Sequence, residues 1–91
     1  MLRITENLEN IKTVRLRLDG TISLETFYEI EEMCSRHRRS DGVTIIVDMA
    51  GVNFMNAAAA KKLARLRCDS LRIINCSPFT AALLNVVENS D

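Results

Sequence analysis

The clearest strand pattern in the sequence lies at residues 14–18. Apolar side chains at Val14, Leu16 and Leu18 alternate with charged ones, the period of two expected when one face of a strand is buried. Leu2 to Thr5 is expected to pair with this strand as a hairpin, with the polar stretch 6–10 as the turn. The sequence therefore predicts two paired strands before any helix.

A helix is predicted next, because Ser23 is a good N-cap and apolar residues then recur at helical spacing. Glutamates fill its first half and arginines its end, an order that complements the helix dipole and indicates a solvated outer face. Ser40-Asp41-Gly42 is expected to end it. The side facing the sheet would carry Leu24, Phe27, Ile30 and Cys34. His37 either continues this side or is a polar residue that faces the helix dipole.

The middle of the chain predicts a buried strand, a loop and a second helix. The β-branched run from Val43 to Val47 is typical of a central strand covered on both faces, and Asp48 marks its carboxyl end. Met49 to Met55 is expected to be a loop, and Asn56 to cap a helix that opens with four alanines. The inward positions of this helix would be Ala60, Leu63 and Ala64.

The last third predicts a short strand from Leu71 to Asn75 and a closing helix. Ser77-Pro78 supplies its cap and a first-turn proline. Its core stripe would be Phe79, Ala82, Leu83, Val86 and Val87. The order is β-β-α-β-α-β-α, which predicts an α/β fold: one domain over residues 1–91, with a mixed four-stranded sheet, right-handed crossovers and about three helices.

Composition narrows the function classes. Twelve Lys and Arg balance twelve Asp and Glu, so no net positive field favours nucleic acid. The apolar runs are far shorter than the roughly 20 residues that cross a bilayer, and residues 1–10 lack the apolar segment of a signal peptide. We expect a cytoplasmic chain with no direct membrane insertion.

Few residues suggest catalysis. His37 is the only histidine, and Glu29 and Glu32 lie one turn apart on an exposed face that would neither desolvate nor position them. The sequence holds no phosphate-binding glycine loop or metal-ligand cluster, and its cysteines are odd in number and widely spaced, namely Cys34, Cys68 and Cys76. We expect reduced structural thiols and no enzyme, cofactor, metal site or catalytic residue.

The stretch from Val43 to Ala59 resembles the central motif of STAS domains, found in anti-sigma-factor antagonists and sulfate transporters. Those domains have an apolar strand ending in Asp, a loop with Gly, and a helix opening with Asp-Ser-Ser-Gly or Asp-Ser-Ala-Gly. Two further segments, Gly20-Thr21-Ile22 and Cys76-Ser77-Pro78, resemble the turns before the family's first and last helices. The motif residues that match are Asp48, Gly51, Val52 and Phe54.

The departures from the motif fall at its switch. Asn56 replaces the usual Asp, Ala57 and Ala58 replace the serine pair, and Ala59 replaces Gly. In the family's regulatory members a kinase phosphorylates that serine and the partner is released, so the resemblance implies a chain fixed in the unphosphorylated, partner-binding form. The alternative is that Asn56 is only a cap and the alanines only helix formers.

The resemblance implies a non-enzymatic regulatory module that docks an anti-sigma-type kinase or a related ATPase. Two alternatives stay open: an accessory subunit of a membrane transporter ATPase complex, and a scaffold component of a STAS signalling assembly. Formation of a homodimer also stays open. Ser23 stands where many members carry Asp. The expected partner-binding residues are Thr21, Ser23, Asn53, Met55, Asn56, Ala57, Ala58, Ala59, Lys61 and Lys62.

Overall fold

A computed structural model of the chain describes residues 1–39 and 42–88. The elements follow the predicted order, although Ser40 and Asp41, expected to break the first helix, lie outside the described residues. The strands are β1 (Leu2–Asn10), β2 (Thr13–Ile22), β3 (Thr44–Met55) and β4 (Leu71–Ile74). The helices are α1 (Leu24–Arg38), α2 (Ala57–Leu66) and α3 (Pro78–Glu88).

The four strands form one mixed sheet in the order β1-β2-β3-β4. β1 is antiparallel to β2, whereas β2, β3 and β4 are parallel. The crossovers through α1 and α2 step across the sheet in one direction, and because such crossovers are right-handed, both helices lie on the same face. α3 packs beside α2, so the described helices form a single layer.

The core lies between this layer and one face of the sheet. Ile45 and Val47 of β3 are fully buried there, but Ile46 faces the opposite side and is only half-buried. It lies in register between Arg15 and Arg72, whose aliphatic stems can flank it. The prediction that this strand is covered on both faces is therefore wrong.

β1 is longer than predicted, because the polar stretch 6–10 is strand rather than turn. It pairs along β2 as far as Asn10 opposite Thr13, and Ile11 and Lys12 make the turn. Side-chain contacts hold this half of β1 in place. Glu6 contacts the imidazole of His37 on α1, and Glu9 forms an ion pair with Arg15 at 2.9 Å.

β3 is also longer, because the segment predicted as a loop pairs with β2 up to Met55 opposite Ile22. Two bulges in β3 account for the error. They place the buried side chains of Met49, Val52 and Met55 three residues apart, a spacing that breaks the period of two. Gly51 sits at the first bulge, where a Cβ would collide with the Asp19 carboxylate and lie 2.8 Å from the Leu18 carbonyl oxygen.

The first two helices bury the predicted sides. α1 buries Phe27, Ile30 and Cys34 and leaves Leu24 and His37 half-buried. α2 buries Ala60 and Leu63, keeps Ala64 half-buried, and also buries Ala59.

α3 is rotated from the predicted orientation. Its fully buried residues are Thr80 and Leu84, while Leu83 and Val87 are half-buried. Phe79, Ala82 and Val86, predicted to be core, face outward. Thr80 can be buried because its hydroxyl donates to the Ser77 carbonyl oxygen at 3.1 Å. This internal bond satisfies a polar side chain that the apolar pattern could not place inside.

Candidate functional site

β2 and β3 end at the same edge of the sheet and position the candidate site. Ile22 and Met55 are paired there, and the Asn56 backbone N–H donates to the Ile22 carbonyl oxygen at 3.1 Å. This bond holds the start of α2 against the end of β2. We call the accessible side chains at this edge the carboxyl rim: Thr21, Asn53, Phe54, Ala57, Ala58 and Phe79.

The start of α2 is exposed and has no hydroxyl. The Asn56 side-chain oxygen accepts the Ala59 N–H at 2.8 Å, and the Asn56 carbonyl accepts that of Ala60 at 2.9 Å. The N–H groups of Ala57 and Ala58 have no acceptor within the helix, as is general for the first turn. The helix therefore presents two methyl groups and two backbone donors at the rim.

Two of the residues predicted to bind a partner are interior. Met55 is 1% exposed and Ala59 is fully buried, so neither offers its side chain to another molecule. Met55 faces the core because the second bulge turns it inward, and Ala59 because it lies on the sheet side of α2. They can support the rim only from beneath.

Thr21 and Ser23 take different roles beside α2. The Thr21 hydroxyl donates to the Asn53 side-chain oxygen at 3.2 Å, which joins the ends of β2 and β3. Ser23 caps α1: its side chain accepts the Thr26 N–H at 3.3 Å, and the Thr26 hydroxyl accepts the Ser23 N–H at 2.8 Å. Ser23 thus keeps a capping role without a charge.

The two predicted lysines lie further along α2, away from its first turn. Lys61 is exposed, whereas the Lys62 ammonium lies 5.9 Å from the ring centroid of Tyr28 on α1. Lys62 is therefore engaged in a cation–π contact between helices.

Sequence reasoning missed the aromatic part of the rim. Phe54 and Phe79 are half-exposed and stack, with ring centroids 6.1 Å apart and planes at 21°. Phe54 was assigned only to the family motif and Phe79 to the core, since nothing in the spacing shows that the ends of β3 and the start of α3 meet. The stack joins the start of α3 to the rim.

A buried carboxylate fixes the connection into α3. Asp48 faces the helix-free side of the sheet, where β4 ends, and accepts from the Ala50 N–H and the Asn75 amide at 3.0 Å each. Asn75 has a left-handed backbone with φ of 58°. Burial opposes ionisation of Asp48, but these hydrogen bonds and the charges of Arg15 and Arg17 outweigh it and lower the pKa. Asp48 acts here as a structural anchor.

The three thiols are free and differ in environment. Burial raises the pKa of Cys34 to about 11. Cys68 is exposed, so it is not the structural thiol that was expected, and hydrogen bonding with Ser70 together with the Arg38 charge lowers its pKa. Burial raises the pKa of the half-buried Cys76.

Within the described ranges, the acidic, histidine and cysteine side chains form no group of three that could hold a metal ion. Over the same ranges, no helix has the length and apolar character needed to span a bilayer.

The chain is similar to known proteins both in its domain family and in its fold. A sequence model of the STAS domain matches residues 3–91, and the chain belongs to this family. Its fold is similar to that of the anti-sigma factor antagonist SpoIIAA in its unphosphorylated form, with a TM-score of 0.75 and 22% identity. The match covers 94% of this chain and 81% of that one. Among curated proteins no sequence match was found.

Proposed function

We propose that the chain is a regulatory protein-binding module that docks an anti-sigma-type kinase, or a related ATPase, through the carboxyl rim. The observation that carries the proposal is the exposed position of Ala57 and Ala58 at the start of α2. Family membership supports it, because STAS domains are regulatory binding modules that generally lack enzymatic activity.

The rim has the properties of a small docking surface. Two methyl groups allow close approach of a partner, the stacked Phe54 and Phe79 supply apolar area, and Thr21 and Asn53 supply polar contacts beside them. Because alanine has no oxygen that can attack ATP, phosphorylation at these positions cannot release the partner. The module stays competent to bind whenever the partner is present.

Isothermal titration calorimetry tests docking. It measures the affinity of this chain for the anti-sigma-type kinase whose gene lies nearest to its own. Ala58→Glu should weaken binding at least tenfold, because it places a bulky charge on the exposed first turn of α2 within the rim. Ala81→Glu, also exposed but on α3 away from the rim, is the matched control and should leave the affinity unchanged. Equal affinity of both variants and the parent chain would contradict the proposal.

Restoring the acceptor tests the lost switch. Asn56→Asp combined with Ala58→Ser should gain a phosphate from that kinase and ATP, detected by mass spectrometry, while the parent chain stays unmodified. Ala59 is best retained, because a glycine at this buried helical position would remove a packed methyl and lower helix propensity, at about 1 kcal/mol for the propensity alone. An unmodified serine variant that still binds the kinase would argue against this part of the proposal.

A further inference from the structure

The outward side of α3 is apolar where a soluble helix is normally polar. Phe79, Ala82 and Val86 are spaced at i, i+3 and i+7 and are exposed, Phe79 to 53% and Val86 to 61%. Half-buried Leu83 adjoins them. We call these four residues the α3 stripe. Contiguous apolar side chains at helical spacing are what a helix presents to another packed element.

A groove between α2 and α3 runs beside the α3 stripe. Its volume is about 220 Å³, and it is lined by Ala64 and Val87 together with Lys61, Arg65 and Glu88. The apolar lining residues are half-buried, and the charged ones, which we call its borders, are exposed. The stripe and the groove together form one elongated surface across the two helices.

The α2 border of the groove is positively charged. α2 contains no acidic residue, and neither Lys61 nor Arg65 forms an ion pair with any side chain in residues 1–39 and 42–88. Glu88, an acidic side chain that lines the groove, is paired with Arg67. Two cations that have no ion-pair partner within these ranges therefore border an exposed apolar surface.

We propose that the α3 stripe and the α2–α3 groove bind an acidic amphipathic helix of another protein. Its apolar residues would cover Ala82, Leu83 and Val86, and its carboxylates would face Lys61 and Arg65. The site lies on the outer helix layer. It shares Phe79 with the carboxyl rim, but the residues that this ligand would cover, Ala82, Leu83 and Val86, are not rim residues.

The charges favour this occupant over a second copy of the chain. Two copies joined through their α3 stripes would bring their positive borders together. The chain's own acidic helix, α1, cannot fill the groove of another copy, because its apolar residues Phe27 and Ile30 are in its own core. Attachment to anionic lipid by a polybasic segment uses clusters of about four to eight basic residues, more than the two here.

The test uses two phage libraries of 16-residue helices that share a varied apolar face. One carries Glu and Asp on the polar face and the other carries Lys and Arg. The full-length chain should enrich the acidic library alone, and a selected peptide should bind with a dissociation constant that rises with salt. Enrichment of both libraries alike, or of neither, would overturn the proposal.

Variants then locate the binding surface. Val86→Asp should weaken the selected peptide at least tenfold and Arg65→Glu about tenfold, whereas Ser35→Asp, which adds the same charge to the exposed side of α1, should not. Unchanged binding by Val86→Asp would overturn the assignment. So would light scattering that shows a dimer abolished by Val86→Asp, or binding to vesicles containing phosphatidylserine that the same variant removes. None of these readouts involves the kinase.

Discussion

The first and last helices both pack on the sheet, but their outward sides are opposite in character. Each is capped by a serine and lies on the same face of the sheet. α1 directs its four glutamates outward or to its flanks, and α3 directs Phe79 and Val86 outward. A helix can therefore be held on the sheet whether its outer side is charged or apolar.

The difference extends inward to the residues that attach each helix. α1 fully buries Phe27, Ile30 and Cys34, whereas α3 fully buries only Thr80 and Leu84. α3 relies in addition on the hydrogen-bonded connection from Asp48 to Asn75 just before it. The apolar area that α3 leaves exposed is area that does not stabilise the folded chain.

The largest expected effect separates Phe27 of α1 from Phe79 of α3. Phe27→Ala should lower the free energy of unfolding by about 3–5 kcal/mol, because it empties a fully buried site. Phe79→Ala should cost about 1 kcal/mol, chiefly the stack with Phe54. Urea unfolding followed by circular dichroism measures both. Similar losses in the two variants would mean that the α3 stripe is part of the core.

An intermediate effect is expected at the anchor of α3. Asp48→Asn should lower the free energy of unfolding by about 1–3 kcal/mol at pH 7, because it removes a buried, hydrogen-bonded charge next to Arg15. Hydrogen exchange should accelerate in α3 more than in α1. Faster exchange confined to α1 would contradict the anchoring role.

The pH dependence of this variant follows from the lowered pKa. A carboxyl whose folded-state pKa lies below its ordinary value of 3.8 stabilises the fold fully above that value, and loses this contribution as the pH falls through the folded pKa. The deficit of Asp48→Asn should therefore be constant at pH 5–7 and shrink below pH 3.8. A deficit that persists at lower pH would show that the charge is not its source.

The smallest effect is expected at the caps. Ser23→Ala and Ser77→Ala should each cost about 1 kcal/mol, because each removes the acceptor of a first-turn N–H. Thermal unfolding measures the loss of stability in each variant. Equal losses would show that the two helices differ in their outer sides rather than in how they begin; a loss confined to Ser23→Ala would place the difference at the start of the helices.

Much of the fold could be predicted from short-range signals. The alternation along β2 and the caps at Ser23, Asn56 and Ser77 were visible in the sequence, because each depends on residues a few positions apart. β1 and β3 were predicted too short. Backbone pairing can extend a strand through polar or bulged residues, and neither kind keeps the apolar period of two.

The candidate site was predicted only in part for a related reason. The motif located Ala57 and Ala58 at the start of a helix, and both are exposed there. Adjacency in the motif could not show that Met55 and Ala59 point inward, since the bulge and the helix rotation decide that. Phe79 was assigned to the core because apolar spacing shows which residues share a side, but not whether that side meets the sheet.

The polar side chains that made β1 hard to predict have a consequence for solubility. β1 is an outer strand of nine residues, and an open backbone of that length can recruit further strands and start aggregation. Arg3, Glu6 and Glu9 place charge along this outer strand, which discourages such edge-to-edge pairing. These charges leave β1 an open edge that does not favour pairing with the backbone of a second molecule.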